Sequence, residues 1–119
     1  METGVSDVYT IAIICSDKSH GSKTAQIALL GHSANGWEEW PGYRDRSLTW
    51  LMADNSPVDV FDRDQEQQAL RRDRKRYQFT CRLCSFSKVV RSERFEPILD
   101  RLQHAGIRIV ELRLLAAIL

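Results

Sequence analysis

The sequence predicts an α+β fold in one domain: an antiparallel β-sheet with a C-terminal helix packed on it. Three observations predict it. Short apolar, β-branched runs separated by turn-rich segments recur as far as Arg91. A helical spacing of apolar residues, Phe95, Ile98, Leu99 and Leu102, follows them. The cysteines, Cys15, Cys81 and Cys84, stand where strand-like runs end.

The first element is a strand over Val8 to Ile14, rich in β-branched residues. It ends at Cys15 in the turn-rich "SDKSHGSK". Thr24 to Leu30 reads as a second strand, and Asn35-Gly36 signals a hairpin whose returning strand carries Trp37 and Trp40. Pro41 and Gly42 break that strand. Leu48, Leu51 and Met52 fit a short helix or a strand equally well. "DNSPVDVFDRDQEQQ" is polar and turn-prone, a surface loop. A strand from Tyr77 to Thr80 runs into Cys81, and "SFSKVVRS" gives the next, ending near Arg91. A helix then starts at Ser92, or at Glu96 with Pro97 in its first turn. Gly106 supplies a left-handed residue that ends it. "IRIVEL" reads as a strand and "LRLLAAIL" as a short apolar helix, with internal packing favoured over pairing with a second copy as a homodimer.

The chain has 119 residues, 43% hydrophobic and 28% charged, which suits a single globular domain, 1–119. Its parts are a knuckle and hairpin over 8–40, a central acidic insertion over 41–70, and a second knuckle with the helical part over 71–119. No apolar run approaches the about 20 residues that span a bilayer, so no membrane association is expected. The segment "METGVSDVY" has no basic region and no cleavage site, so a cytoplasmic protein is expected. The formal net charge of +1 hides an asymmetry. Trp37 to Glu66 holds eight acids and three bases, while Arg71 to Arg94 holds nine bases and two acids. A near-neutral total argues against a protein built chiefly to coat nucleic acid.

Three cysteines are an odd number, unlike the usual secreted disulfide scaffold. In a reducing compartment such cysteines bind metal or do chemistry more often than they form bridges. Cys81 and Cys84, two residues apart in a turn between strands, offer half of the tetrahedral shell that structural zinc prefers. Cys15 and His20, spaced C-x4-H after another strand, offer the other half. The expected zinc site is therefore Cys15, His20, Cys81 and Cys84. Other readings stay open. Cys15 could be a buried small residue with His20 exposed, or zinc could be held by part of this set with His32 or a partner chain. His104 reads as a surface residue near a helix C-terminus, where a cation is favoured. A redox CxxC sits at a helix N-terminus, whereas "SFSKVV" after Cys84 shows no helical pattern.

Four donors argue for a closed structural site, because a catalytic zinc keeps one position open. There is no HExxH, no deaminase signature and no Gly-rich phosphate loop. Glu38 and Glu39 are adjacent in a strand and so point to opposite faces. No enzyme is predicted; a thiol or zinc enzyme is the least supported alternative. Arg71, Arg72, Arg74, Lys75 and Arg76, next to Tyr77 and Phe79, could contact nucleic acid or a partner. The ordinary reading is a solvated edge whose charges block strand pairing. Trp37, Trp40 and Trp50 are core or pocket residues, or, where exposed, protein-interaction aromatics.

The combination of C-x4-H after a strand, an aromatic hairpin, a basic strand into CxxC and the closing "EPILDRLQHAGIRIVELRLLAAIL" resembles small uncharacterised zinc-ribbon-like proteins of actinobacteria and actinobacteriophages. The resemblance covers Val8 to Gly36 and Tyr77 to Leu119 and omits the central insertion. It implies the same ligand set, Cys15, His20, Cys81 and Cys84. One departure is Ser85, where a typical ribbon has Gly after the second cysteine of the CxxC. The function expected is a zinc-stabilised binding module for a protein partner, with a phage protein that modulates a host target as one form of it. The alternative is a nucleic-acid-binding zinc ribbon.

Overall fold

The computed structural model describes residues 8–34, 36–39, 47–52, 54–59, 62–65 and 76–119. The elements are β1 (Thr10–Cys15), a 3-10 turn (Lys18–His20), β2 (Ala25–Ser33), β3 (Gly36–Glu39), β4 (Leu48–Leu51), β5 (Arg76–Thr80), β6 (Ser87–Arg91), α1 (Ser92–His104), β7 (Ile109–Glu111) and α2 (Leu112–Ile118). The fold is α+β, as expected. Its strands form two sheets where one antiparallel sheet was predicted: a four-stranded sheet ordered β3-β2-β1-β7 and a three-stranded sheet ordered β4-β5-β6. One pair is parallel. After α1 the chain returns in the direction of β1, and Ile13 pairs with Val110. The long connection that a parallel pair needs is supplied here by everything from β2 to α1, which lies between the two strands in the chain.

The ambiguous segment at Leu48 resolves as a strand, because it finds a partner: Leu48 lies opposite Phe79 and Trp50 opposite Tyr77. The hairpin forms one residue away from its predicted centre. Gly36 opens β3 opposite Ser33, with φ +101°. A Cβ there would sit 3.0 Å from Glu96 Oε1, so both the backbone and the space favour glycine. Helix α1 starts at Ser92, which leaves Pro97 inside the helix. It ends as predicted. The Gly106 N–H donates to Gln103 O and the Ile107 N–H to Leu102 O, the paired bonds of a Schellman motif, with Gly106 at φ +76°.

The core lies between the sheets and under the helices. Ile11, Ile13, Ile27 and Leu30 from one sheet meet Leu48, Tyr77, Phe79 and Val90 from the other. Phe95 and Leu99 of α1 and Leu112 and Leu115 of α2 complete it. The Phe95 ring stands edge-on to Phe79, with centroids 5.5 Å apart. The β1–β2 register shifts between Ile13 and Ile14, a bulge that turns the adjacent Ile27 and Ala28 both inward. Trp37 is only 4% exposed and its indole N–H donates to Asp100 Oδ1 at 2.8 Å. It is a core residue and offers no contact surface. Trp50 is half-buried against the core, and Trp40 lies outside the described residues. Among the described residues, no helix is long and apolar enough to cross a membrane.

Candidate metal centre

Two strands deliver the sulfurs. On β1 the buried positions are Ile11, Ile13 and Cys15; along β5 and its continuation they are Tyr77, Phe79 and Cys81. The strand period of two that points the apolar residues into the core therefore points each cysteine inward at the strand's end. The two ends belong to different sheets, so the cluster sits where the sheets meet.

The turn after each strand supplies a second donor. Past Cys15, Asp17 caps the 3-10 turn: its Oδ2 accepts from the Ser19 N–H at 3.2 Å and the Ser19 hydroxyl at 2.7 Å. Those two bonds hold the Asp17 carboxyl below its usual range, and the Arg113 charge adds to the effect. The turn folds His20 back over Cys15, with its ring buried. His20 Nε2 lies 3.7 Å from Cys15 Sγ and 3.2 Å from Cys81 Sγ. Past Cys81, the Ser85 N–H donates to Cys81 O and the Cys81 N–H to Phe86 O, each at 2.8 Å. The turn so closed places Cys84 Sγ 3.8 Å from Cys15 Sγ. Ser85 adopts φ +62°, a left-handed conformation that glycine reaches at less cost.

The four donor atoms all lie within 4.8 Å of one another, and the group could hold a metal ion. The cysteines are free thiols, and a separation of 3.8 Å is well beyond a disulfide of about 2.05 Å. Their environments differ. Burial pushes the Cys15 thiol up to about 11, with the neighbouring Cys81 and Cys84 sulfurs adding to it. The half-buried Cys84 is drawn down to about 6, first by its hydrogen bond with His20 and then by the Phe86 N–H. The Asp17 N–H faces Cys15 in the same way as the Phe86 N–H faces Cys84. His20 Nδ1 is buried and finds no partner, so packing and Nε2 alone orient the ring.

The C-terminal elements brace this group from outside. Arg113 of α2 donates from a terminal nitrogen to Cys84 Sγ at 3.5 Å and pairs through Nε with Asp17 at 3.3 Å. Its guanidinium lies 4.4 Å from the Phe86 ring centroid. Glu111 accepts from the Ser16 N–H at 3.1 Å and from the Ser16 hydroxyl at 2.8 Å. Sequence reasoning missed both residues. The lone cation in "LRLLAAIL" was the available signal for Arg113; for Glu111 there was none.

The structure brings together all four expected ligands and leaves the other histidines apart. His32 lies on β2 against Trp37, ring centroids 4.9 Å apart, and His104 is exposed in the last turn of α1. The two turns follow strands, and β6 rather than a helix comes after the CxxC. Of the basic segment, Arg71, Arg72, Arg74 and Lys75 lie outside the described residues. Arg76 opens β5, and its guanidinium donates to Asn55 Oδ1 at 2.9 Å. Comparisons of this chain with models of protein families, with curated proteins and with solved structures found no match.

Proposed function

We propose that this chain is a zinc-stabilised, ribbon-like binding module that acts through a protein partner and not through catalysis. The observation that carries the proposal is the spacing of the donors. Zinc bonds of about 2.3 Å to sulfur and 2.05 Å to nitrogen, at the tetrahedral angle, separate two sulfurs by about 3.8 Å. The same geometry separates sulfur from nitrogen by about 3.5 Å. Three of the six donor separations here are 3.8 Å for Cys15–Cys84, 3.7 Å for Cys15–His20 and 3.2 Å for Cys81–His20, and all six lie within 4.8 Å. Three sulfurs and an imidazole are donors that zinc favours. Four protein ligands fill the shell and leave no position for substrate, which suits a structural ion. Zinc in this place would cross-link the two sheets. The protein partner is the expected user of the surface so held, and a host protein is the form it would take if the chain is a phage product.

Protein purified without chelator is expected to carry one zinc per chain. Mass spectrometry and X-ray absorption should return a shell of three sulfurs and one nitrogen. Absence of metal, together with a melting curve indifferent to chelator, would remove the proposal. A tagged, zinc-loaded chain is then expected to capture a partner that the chelated chain does not.

A further inference from the structure

β6 is an edge strand of the sheet β4-β5-β6. Its pairing phase follows from the turn. The Cys81 N–H donates to Phe86 O, and the register runs from Thr80↔Ser87 to Arg76↔Arg91. Opposed residues in an antiparallel pair alternate between exchanging both bonds and exchanging neither. Lys88 and Val90 therefore bond toward β5, and the N–H and C=O groups of Ser87 and Val89 point outward. Among the described residues, no other segment bonds to them. The opposite edge of this sheet is closed: Leu51 bridges Pro57, and the Val58 N–H donates to Trp50 O.

A groove of about 270 Å³ runs beside the open edge, lined by Lys88, Val89, Arg91, Arg94 and Leu119. Among the described residues, its three cations make no ion pair. Val89 is 40% exposed between them. Cations on an edge keep neutral and basic strands away, because pairing would bury them without counter-charges. An acidic strand meets no such barrier. We infer that β6 is a docking edge for an extended acidic segment of a partner protein, which would add as a fourth strand with carboxylates meeting Lys88 on one face of the sheet and Arg91 on the other, Arg94 standing beside them. The inference rests on the reading of the chain as a protein-binding module. Carbonyl groups alternating with N–H groups along the edge, and the apolar Val89 and Leu119 beside it, suit a peptide backbone better than a run of phosphates.

The probe is a fluorescein-labelled heptapeptide with carboxylates on both faces of the extended chain, Glu-Glu-Val-Glu-Glu-Val-Glu, titrated by anisotropy against the zinc-loaded full chain at low salt. Saturable binding is expected. Val89→Pro removes an outward N–H and no bond to β5, and is expected to weaken binding at least tenfold. The pair Arg91→Glu and Arg94→Glu is expected to do the same, as is N-methylation of alternate peptide residues. Zinc content and melting temperature, read on the same samples, identify a variant that has simply lost its fold. The inference fails if the wild type does not bind, or if the N-methylated peptide binds as well as its parent. It also fails if oligothymidylate of equal charge displaces the peptide and binds Val89→Pro undiminished, which would make the groove a nucleic-acid site. Dimerisation of the free chain that Val89→Pro abolishes would instead assign the edge to a second copy. A partner captured equally by wild type and Val89→Pro leaves the module reading standing and removes this edge from it.

Discussion

Ser85 holds φ +62° in the turn that presents Cys84. A side chain in that region costs roughly 1 kcal/mol relative to glycine. Ser85→Gly is therefore expected to stabilise the fold by about 0.5–1 kcal/mol, after allowance for glycine's freer unfolded chain. Urea unfolding of the two zinc-loaded proteins would measure it, and a loss of stability would show that the Ser85 side chain is needed. Arg113 reaches Cys84 and Asp17 with one guanidinium. Three thiolates around a bound dication would leave a net negative charge, which this cation would balance. Outer groups of this kind are worth about 10–100-fold in metal affinity. Arg113→Gln is expected to lose zinc to a chromogenic chelator in that range, with the fold unchanged while metal is saturating. Tyr77 is buried against Glu39 and Glu96, and burial first, then these carboxylates, raise its phenol above its ordinary value of 10.0. A raised phenol stays neutral in the folded chain after the unfolded chain has begun to ionise. Its contribution is thus complete below pH 10 and falls above it, by about 1.4 kcal/mol per pH unit. Tyr77→Phe is expected to flatten that alkaline limb of the stability profile, and an unchanged slope would assign it to other groups.

Most of the elements were legible because their signals are local. The Schellman end of α1 needs one glycine after a periodic run, and the apolar face of Phe95, Ile98, Leu99 and Leu102 is set by residues within three turns. The four donors were legible for a related reason. Each pair lies within six residues of sequence, at the end of a strand whose alternation aims it. The parallel pairing of β7 with β1 was not legible, because it is decided by where α1 returns the chain. The fate of Trp37 was decided by Asp100, which is brought over it only when α1 packs. The strand at Leu48 matched two periods, and only a partner strand distinguishes them. Arg113 and Glu111 act on a site whose first half, Cys15 and His20, lies more than ninety residues earlier in the sequence, a relation that spacing cannot express.

For the whole molecule, the cluster joins the ends of two sheets that otherwise share a core of modest size. Structural zinc contributes on the order of 10 kcal/mol. That is comparable with the entire stability of a domain this small. Removal of metal by chelator at neutral pH is therefore expected to unfold most of the chain at 37 °C. Circular dichroism and tryptophan emission would follow it, since Trp37 leaves the core. A chelated protein with an unaltered melting curve would mean that the apolar core suffices and the cluster is not a staple. Acid is expected to act in the same direction, because protons compete with the metal for three thiolates.

The parallel pairing of β1 with β7 also bears on how the molecule would carry load. The chain enters β1 at Thr10 and leaves β7 at Glu111, at opposite ends of a shared ladder. A pull on the flanking segments would draw the two strands past each other lengthwise, so their hydrogen bonds would be strained together instead of opening one by one. The Arg113 and Glu111 clamps on the first turn lie on the same line of force. Under tension the fold would give way abruptly, and a bound metal would raise the force at which it does.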